Sequence, residues 1–171
     1  MVLIFALIGC MGTKTPNPSS VTTPVSTVIT LASPEDDAHL KTPPAVLEAL
    51  KNGFSSKGLA MEQVEVGQDF VDIGTRNNRT QWLLKQTDGS LSVMIETEAR
   101  PRSQLGGRYQ WQVTATITVA SRQSEPLVEE VLLPITLPHV HQQEQEALVA
   151  IGSRLAEKTA NLFERYQRSG S

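Results

Sequence analysis

Tyr109-Gln-Trp-Gln-Val-Thr-Ala-Thr-Ile-Thr-Val119 is the stretch on which the fold turns. Tyr109, Trp111, Val113, Ala115, Ile117 and Val119 alternate with Gln110, Gln112, Thr114, Thr116 and Thr118. A period of two places the first set on one side of a pleated strand and the second on the other, so the segment reads as a β-strand with one buried face and one wet face. Gly106-Gly107 opens it, and residues 121–126 turn the chain into Leu127–Leu137, a returning strand whose Pro134 suits an edge or a bulge.

Upstream, Ser90–Ala99 repeats the pattern, with Leu91, Val93, Ile95, Thr97 and Ala99 on one side and Ser92, Glu96 and Glu98 on the other; Met94 breaks the alternation. Thr87-Asp88-Gly89 precedes it. Asp-Gly supplies the positive φ of a tight hairpin, so Thr80–Gln86 is expected to be the partner strand. Val25–Ala32 and Leu59–Val66 read as further strands, and Phe70–Ile73 as another or as an edge piece. Thr42 before Pro43-Pro44 marks a helix start, since the hydroxyl can cap and proline needs no amide donor in the first turn. Val46, Leu47, Leu50 and Phe54 then share one helical face and Gly58 is a left-handed stop, which gives a helix near Pro43–Lys57. A longer amphipathic helix, about Gln143–Gln167, carries Leu148, Ile151, Leu155, Thr159, Leu162 and Tyr166 in one stripe. The expected fold is α+β: an antiparallel sheet of about four to five strands, two helices packed on its apolar face, and a Thr/Gln-rich face left exposed.

Composition narrows the function. In 171 residues the charged fraction is 19%, the formal net charge is -3 and aromatics are 5%. That leaves no electrostatic footprint for nucleic acid and too few rings for a base-stacking platform, so no nucleic-acid partner is expected. The length fits one domain, placed at 25–168. A single cysteine excludes an internal disulfide and a Cys-rich metal site, so Cys10 must be explained by position. It follows Val2-Leu3-Ile4-Phe5-Ala6-Leu7-Ile8-Gly9, an apolar run well short of the roughly 20 residues that span a bilayer. It precedes Met11-Gly-Thr-Lys-Thr-Pro-Asn-Pro-Ser-Ser-Val-Thr-Thr-Pro, too polar and too broken by proline to continue a packed element. A buried N-terminal strand with Cys10 as a core thiol fits that order poorly. An apolar stub, a cysteine and a polar linker is the order an anchor requires.

Leu7-Ile8-Gly9-Cys10 resembles the lipobox of bacterial lipoproteins. The resemblance implies a signal peptide at 1–9, cleavage between Gly9 and Cys10, and diacylglycerol on the Cys10 thiol. Several acyl chains on one residue give stable anchoring, at about 0.8 kcal/mol per buried methylene. Residues 10–24 would then be a tether with a root-mean-square reach of roughly 20 Å, or about 50 Å stretched. Met11, where Asp would favour retention at the inner membrane in enteric lipoproteins, implies the outer membrane, with the domain facing the periplasm. In element order, Val25–Tyr166 also resembles the LPS-assembly lipoprotein family, which implies a domain with two helices on one face of a sheet and transfers no functional residue.

Arg100, Arg102 and Arg108 cluster around the Gly-Gly turn, and Arg76 and Arg79 lie in another expected loop; together they are the candidate rim for an anionic lipid or glycan. His139-Val-His141, with Glu144 and Glu146 nearby, falls short of a complete zinc set and reads as a polar loop. Glu96 and Glu98 imitate a carboxylate pair but sit on the wet side of an ordinary amphipathic strand. Trp82 and Trp111 read as core residues at strand positions. Nucleophile-elbow, Walker and Rossmann patterns are absent, so no catalytic residue, metal or cofactor is expected. The function expected is a non-catalytic, membrane-anchored accessory or assembly subunit of an envelope complex, docking on a protein partner through its sheet. The alternatives are a periplasmic lipid- or glycan-binding lipoprotein and an activator of a cell-wall synthase.

Overall fold

A computed structural model describes residues 23–32, 42–104, 108–137 and 144–169. The elements run β1 (Thr23–Ala32), α1 (Pro44–Ser55), β2 (Leu59–Gln63), α2 (Gln68–Val71), α3 (Arg76–Gln86), β3 (Ser92–Gln104), β4 (Arg108–Ser121), β5 (Ser124–Leu137) and α4 (Glu144–Ser169). Gly9, Cys10, residues 11–22 of the expected linker, His139 and His141 lie outside the described residues, while the last two linker positions, Thr23 and Pro24, belong to β1.

The strands form one five-stranded sheet in the order β2-β1-β3-β4-β5. β3, β4 and β5 are antiparallel neighbours, but β1 pairs parallel with both β2 and β3. The expected antiparallel sheet is therefore corrected to a mixed one. The cause is the helices between the strands. α1 carries the chain back along the sheet, so that Leu59 begins β2 opposite Thr23, and α3 does the same, so that Ser92 of β3 meets Ser26. A strand reached through a returning helix lies parallel to the one before it.

The second correction is α3 itself, which occupies Arg76–Gln86 where a strand was expected at Thr80–Gln86. Thr75 is extended and its hydroxyl accepts the Asn78 amide at 3.3 Å, a side-chain cap that starts the helix. Thr80, Leu83 and Leu84 are buried at helical spacing. At the far end Asp88 and Gly89 do adopt positive φ, at 51° and 73°. They close a helix, however, with the Thr87 amide on the Leu83 carbonyl at 3.1 Å and the Gly89 amide on the Leu84 carbonyl at 2.7 Å. The left-handed conformation that Asp-Gly favours serves a helix exit as well as a hairpin. Phe70–Ile73, read as a strand or edge piece, instead overlaps the end of the helical turn α2.

Three layers result, in place of two. α1 and α4 pack on one face of the sheet over Val25, Ile29, Val93, Ile95, Val113, Ile117 and Leu133, contributing Leu50, Phe54, Ile151, Leu155 and Leu162 to the main core. The two helices meet closely: a Cβ on Gly152 would lie 2.5 Å from the Val46 carbonyl oxygen, and one on Gly53 would lie 2.4 Å from the Ala156 Cβ. α2 and α3 cover one end of the opposite face, where Val28, Phe70, Leu83 and Met94 form a smaller core, with the Phe70 and Trp82 rings edge to face at 5.1 Å. Met94, the apparent fault in the β3 alternation, is thus the residue that anchors a second layer. The face expected to be wet is dry beneath α3, where Thr118 is 1% exposed and Thr116 9%. Trp82 sits on a helix, and Trp111 is partly buried beside the main core.

Candidate functional site

The face opposite α1 and α4 holds the described candidate arginines. Register places Thr30, Glu96, Thr116 and Glu130 in one row across β1, β3, β4 and β5, and Ala32, Glu98, Thr114 and Leu132 in the next. Arg100, Gln112 and Pro134 make a third, and Arg102, Gln110 and Thr136 a fourth.

In the first row Glu96 receives two guanidiniums from the start of α3. Arg79 reaches its Oε1 through Nη2 at 2.6 Å, and Arg76 reaches Oε2 through Nε at 3.3 Å. Arg79 also donates through Nη1 to the Ile73 carbonyl at 2.8 Å, and Arg76 through Nη2 to the Thr116 hydroxyl at 3.3 Å. The Glu96 and Arg79 side chains are about one-fifth exposed, so the pair works in an environment where charge is poorly screened. In the second row Glu98 Oε1 accepts from Arg100 Nε at 2.7 Å, but that pair is about half-exposed. Of the five arginines read as a rim, the fold brings Arg76 and Arg79 together and sets Arg100 along the same face. Register puts Arg102 opposite Gln110 and Arg108 opposite Gln104; their side chains are outside the description. The three described arginines all have carboxylate partners: Arg76 and Arg79 tie α3 to Glu96 of the sheet, and Arg100 pairs with Glu98 within β3. Glu96 and Glu98 do point to one side of their strand, each joined to arginine.

Beyond α3 the same face is open. Glu98, Arg100, Gln112 and Thr114 line a shallow depression of about 220 Å³. On β5, Val128 and Leu132 are 45% and 59% exposed, two of the three large apolar side chains so exposed among the described residues. They lie on one side of an edge strand with Glu130 between them. The edge position of β5 agrees with the reading of Leu127–Leu137 as a returning strand whose Pro134 suits an edge or a bulge, but its exposed apolar pair was not foreseen. The signal was the run Val131-Leu132-Leu133, where both parities are apolar although only one can face the core. At the other end of the sheet a depression of about 570 Å³ lies between Ser90, Ser121, Ser124 and Tyr166. Three of its hydroxyls meet, since Ser124 Oγ donates to Tyr166 Oη at 2.6 Å and Ser121 Oγ lies 2.9 Å from the same oxygen. Among the described residues no cluster of three His, Cys, Asp or Glu could hold a metal, and no helix is long and apolar enough to cross a membrane.

No protein-family model matches the chain, and no curated protein does. Among solved structures it is similar to a minor lipoprotein from Acinetobacter baumannii, at 14% identity and TM-score 0.41 over 86% of this chain and 96% of that one. It is also similar to lipoprotein GNA1162 from Neisseria meningitidis, at 14% identity and TM-score 0.46 over 81% and 99%. A third likeness is to the rare lipoprotein B from Shewanella oneidensis, at 7% identity and TM-score 0.36 over 82% and 94%. At these scores the likeness is partial and assigns no activity.

Proposed function

We propose that this chain is a bacterial envelope lipoprotein, anchored through lipid on Cys10, that serves without catalysis as an accessory or assembly subunit of an outer-membrane or envelope complex. The observation that carries the reading is the order of segments at the N-terminus: Leu7-Ile8-Gly9-Cys10, then a polar, proline-broken stretch, then Thr23 entering the sheet. With the anchor at Cys10 and the first strand at Thr23, residues 11–22 can extend at most about 40 Å, so the domain works within about its own length of the membrane. A partner rather than a substrate suits the described surface, because the arginines nearest to forming an anion site are engaged with Glu96 and Glu98. Intact mass of the protein from native bacterial membranes, beside a Cys10→Ser control, tests the anchor. Cleavage before Cys10 with a diacylglyceryl adduct that the control lacks is expected. An uncleaved, unlipidated, soluble product would overturn it.

A further inference from the structure

β5 is one of the two edge strands of the sheet, and its outward-facing side chains include Val128 and Leu132, both exposed, at positions four apart on the same face. Glu130, between them, is exposed and has no ion-pair partner among the described residues, whereas its neighbour Glu129 on the inner face pairs with Arg165 of α4.

The backbone is as particular as the side chains. Pro134 stands opposite Gln112 in the β4 ladder. A proline has no amide proton to give β4, so it belongs at a position whose nitrogen faces away from the ladder. Within the unbroken register from Leu127 to Leu137, Val128, Glu130 and Leu132 share its parity, and their N–H groups then point to the outer edge. Pro126 also precedes this stretch, so the donors available on the edge form a short window with a proline at either end. Two prolines and a charge blunt the edge against indiscriminate pairing. What they leave is a slot three outward residues long.

A second copy of this chain fits that slot badly. Two β5 strands paired antiparallel about Glu130 would set carboxylate against carboxylate, and like charges directly opposite are destabilising. Moving the two-fold to Leu132 brings Pro134 opposite Glu130, and moving it to Val128 brings Pro126 there. Two-folds at Glu129 and Val131 in turn set Pro126 opposite Leu132 and Pro134 opposite Val128, so every register centred on a residue from Val128 to Leu132, other than the one on Glu130, places a residue that cannot donate opposite one of the three outward positions. A different chain has no such restriction.

We propose that the β5 edge receives an extended segment of a partner protein, with apolar residues over Val128 and Leu132 and a lysine or arginine opposite Glu130. Main-chain hydrogen bonds to the window give the affinity, and the apolar–basic–apolar alternation gives the selectivity. This deepens the docking reading above and rests on it for the compartment of the partner.

The test uses the full-length lipoprotein in its native envelope. A photo-cross-linking side chain is placed in turn at positions 128, 132 and 153, the last being an exposed site on α4. Cross-links to one and the same other polypeptide from 128 and 132, and not from 153, are expected. Glu130→Pro removes the central outward donor while asking nothing new of the β4 ladder, and is expected to abolish them. Glu130→Lys, which keeps the donor and reverses the charge, is expected to reduce them and needs no proline to be accommodated. Cross-links to a second copy, to lipid, or to a partner that both variants leave untouched would overturn the proposal, as would none in protein shown by mass to be lipidated. Lipidated protein without a β5 partner defeats this inference alone. Protein that is never lipidated defeats the anchor, whatever β5 does.

Discussion

Glu96 shows how much position decides the worth of a charge. It and Glu98 are two residues apart on one strand and each holds arginine, yet only Glu96 does so under a helix, with Arg79 supplying a second link to the Ile73 carbonyl. Replacing Glu96 by Ala would leave two guanidiniums converging on nothing, one of them with its Nε already buried and unbonded. The expected cost is about 1–3 kcal/mol, read as a lowered urea midpoint with unchanged slope. Glu98→Ala is expected to cost less than about 0.5 kcal/mol, because its pair with Arg100 is held in water. Equal losses for the two variants would show that the α3 contact contributes no more than the exposed one. Both ingredients, the same-side glutamates and the Arg76 and Arg79 pair, stand in the sequence, but 17 positions separate Arg79 from Glu96 and nothing local joins them. Which strand a helix will lie across is a tertiary fact that local spacing does not contain.

At the scale of elements, α1 and α4 were legible because their apolar stripes are long and regular, β4 because its alternation leaves one reading, and β3 and β5 because theirs holds over most positions despite Met94 and Leu132. α3 was not. Its sequence, Arg-Asn-Asn-Arg-Thr-Gln-Trp-Leu-Leu-Lys-Gln, has few apolar residues to display a period, and its end carries a dipeptide that serves helix and hairpin alike. Mistaking it for a strand deleted a crossover, and with the crossover went the parallel pairing of β1 and β3. The close approach of α1 and α4 offers a measurement at this scale. Gly152→Ala would ordinarily favour a helix by about 1 kcal/mol. Here its Cβ would meet the Val46 carbonyl oxygen at 2.5 Å and the Ala49 Cβ at 2.8 Å, and backbone cannot yield as a flexible side chain can. A net loss of about 1–3 kcal/mol is expected from thermal or urea unfolding. A gain would mean that the helices can separate at little cost.

The whole molecule is unequal on its two sides. The main core joins α1, α4 and all five strands, whereas the second rests on Val28, Phe70, Leu83 and Met94. Amide hydrogen exchange is therefore expected to find α3 less protected than α4, opening as a unit below the energy of global unfolding. Equal protection would mean that the thin layer is fully coupled to the thick one. The same asymmetry explains what alternation could reveal: it identifies the face that is dry along its whole length, and it misreads a face that is dry over only part of it. A last consequence concerns mechanics. β1 follows the proposed anchor, yet it lies inside the sheet, paired with β2 over Thr23–Thr27 and with β3 over Ser26–Ala32. A tug from the membrane would enter at Thr23 and run along the strand, straining both rows of hydrogen bonds sideways and together instead of unzipping them singly. A domain hung by its interior strand yields to such a force only when many bonds fail at once.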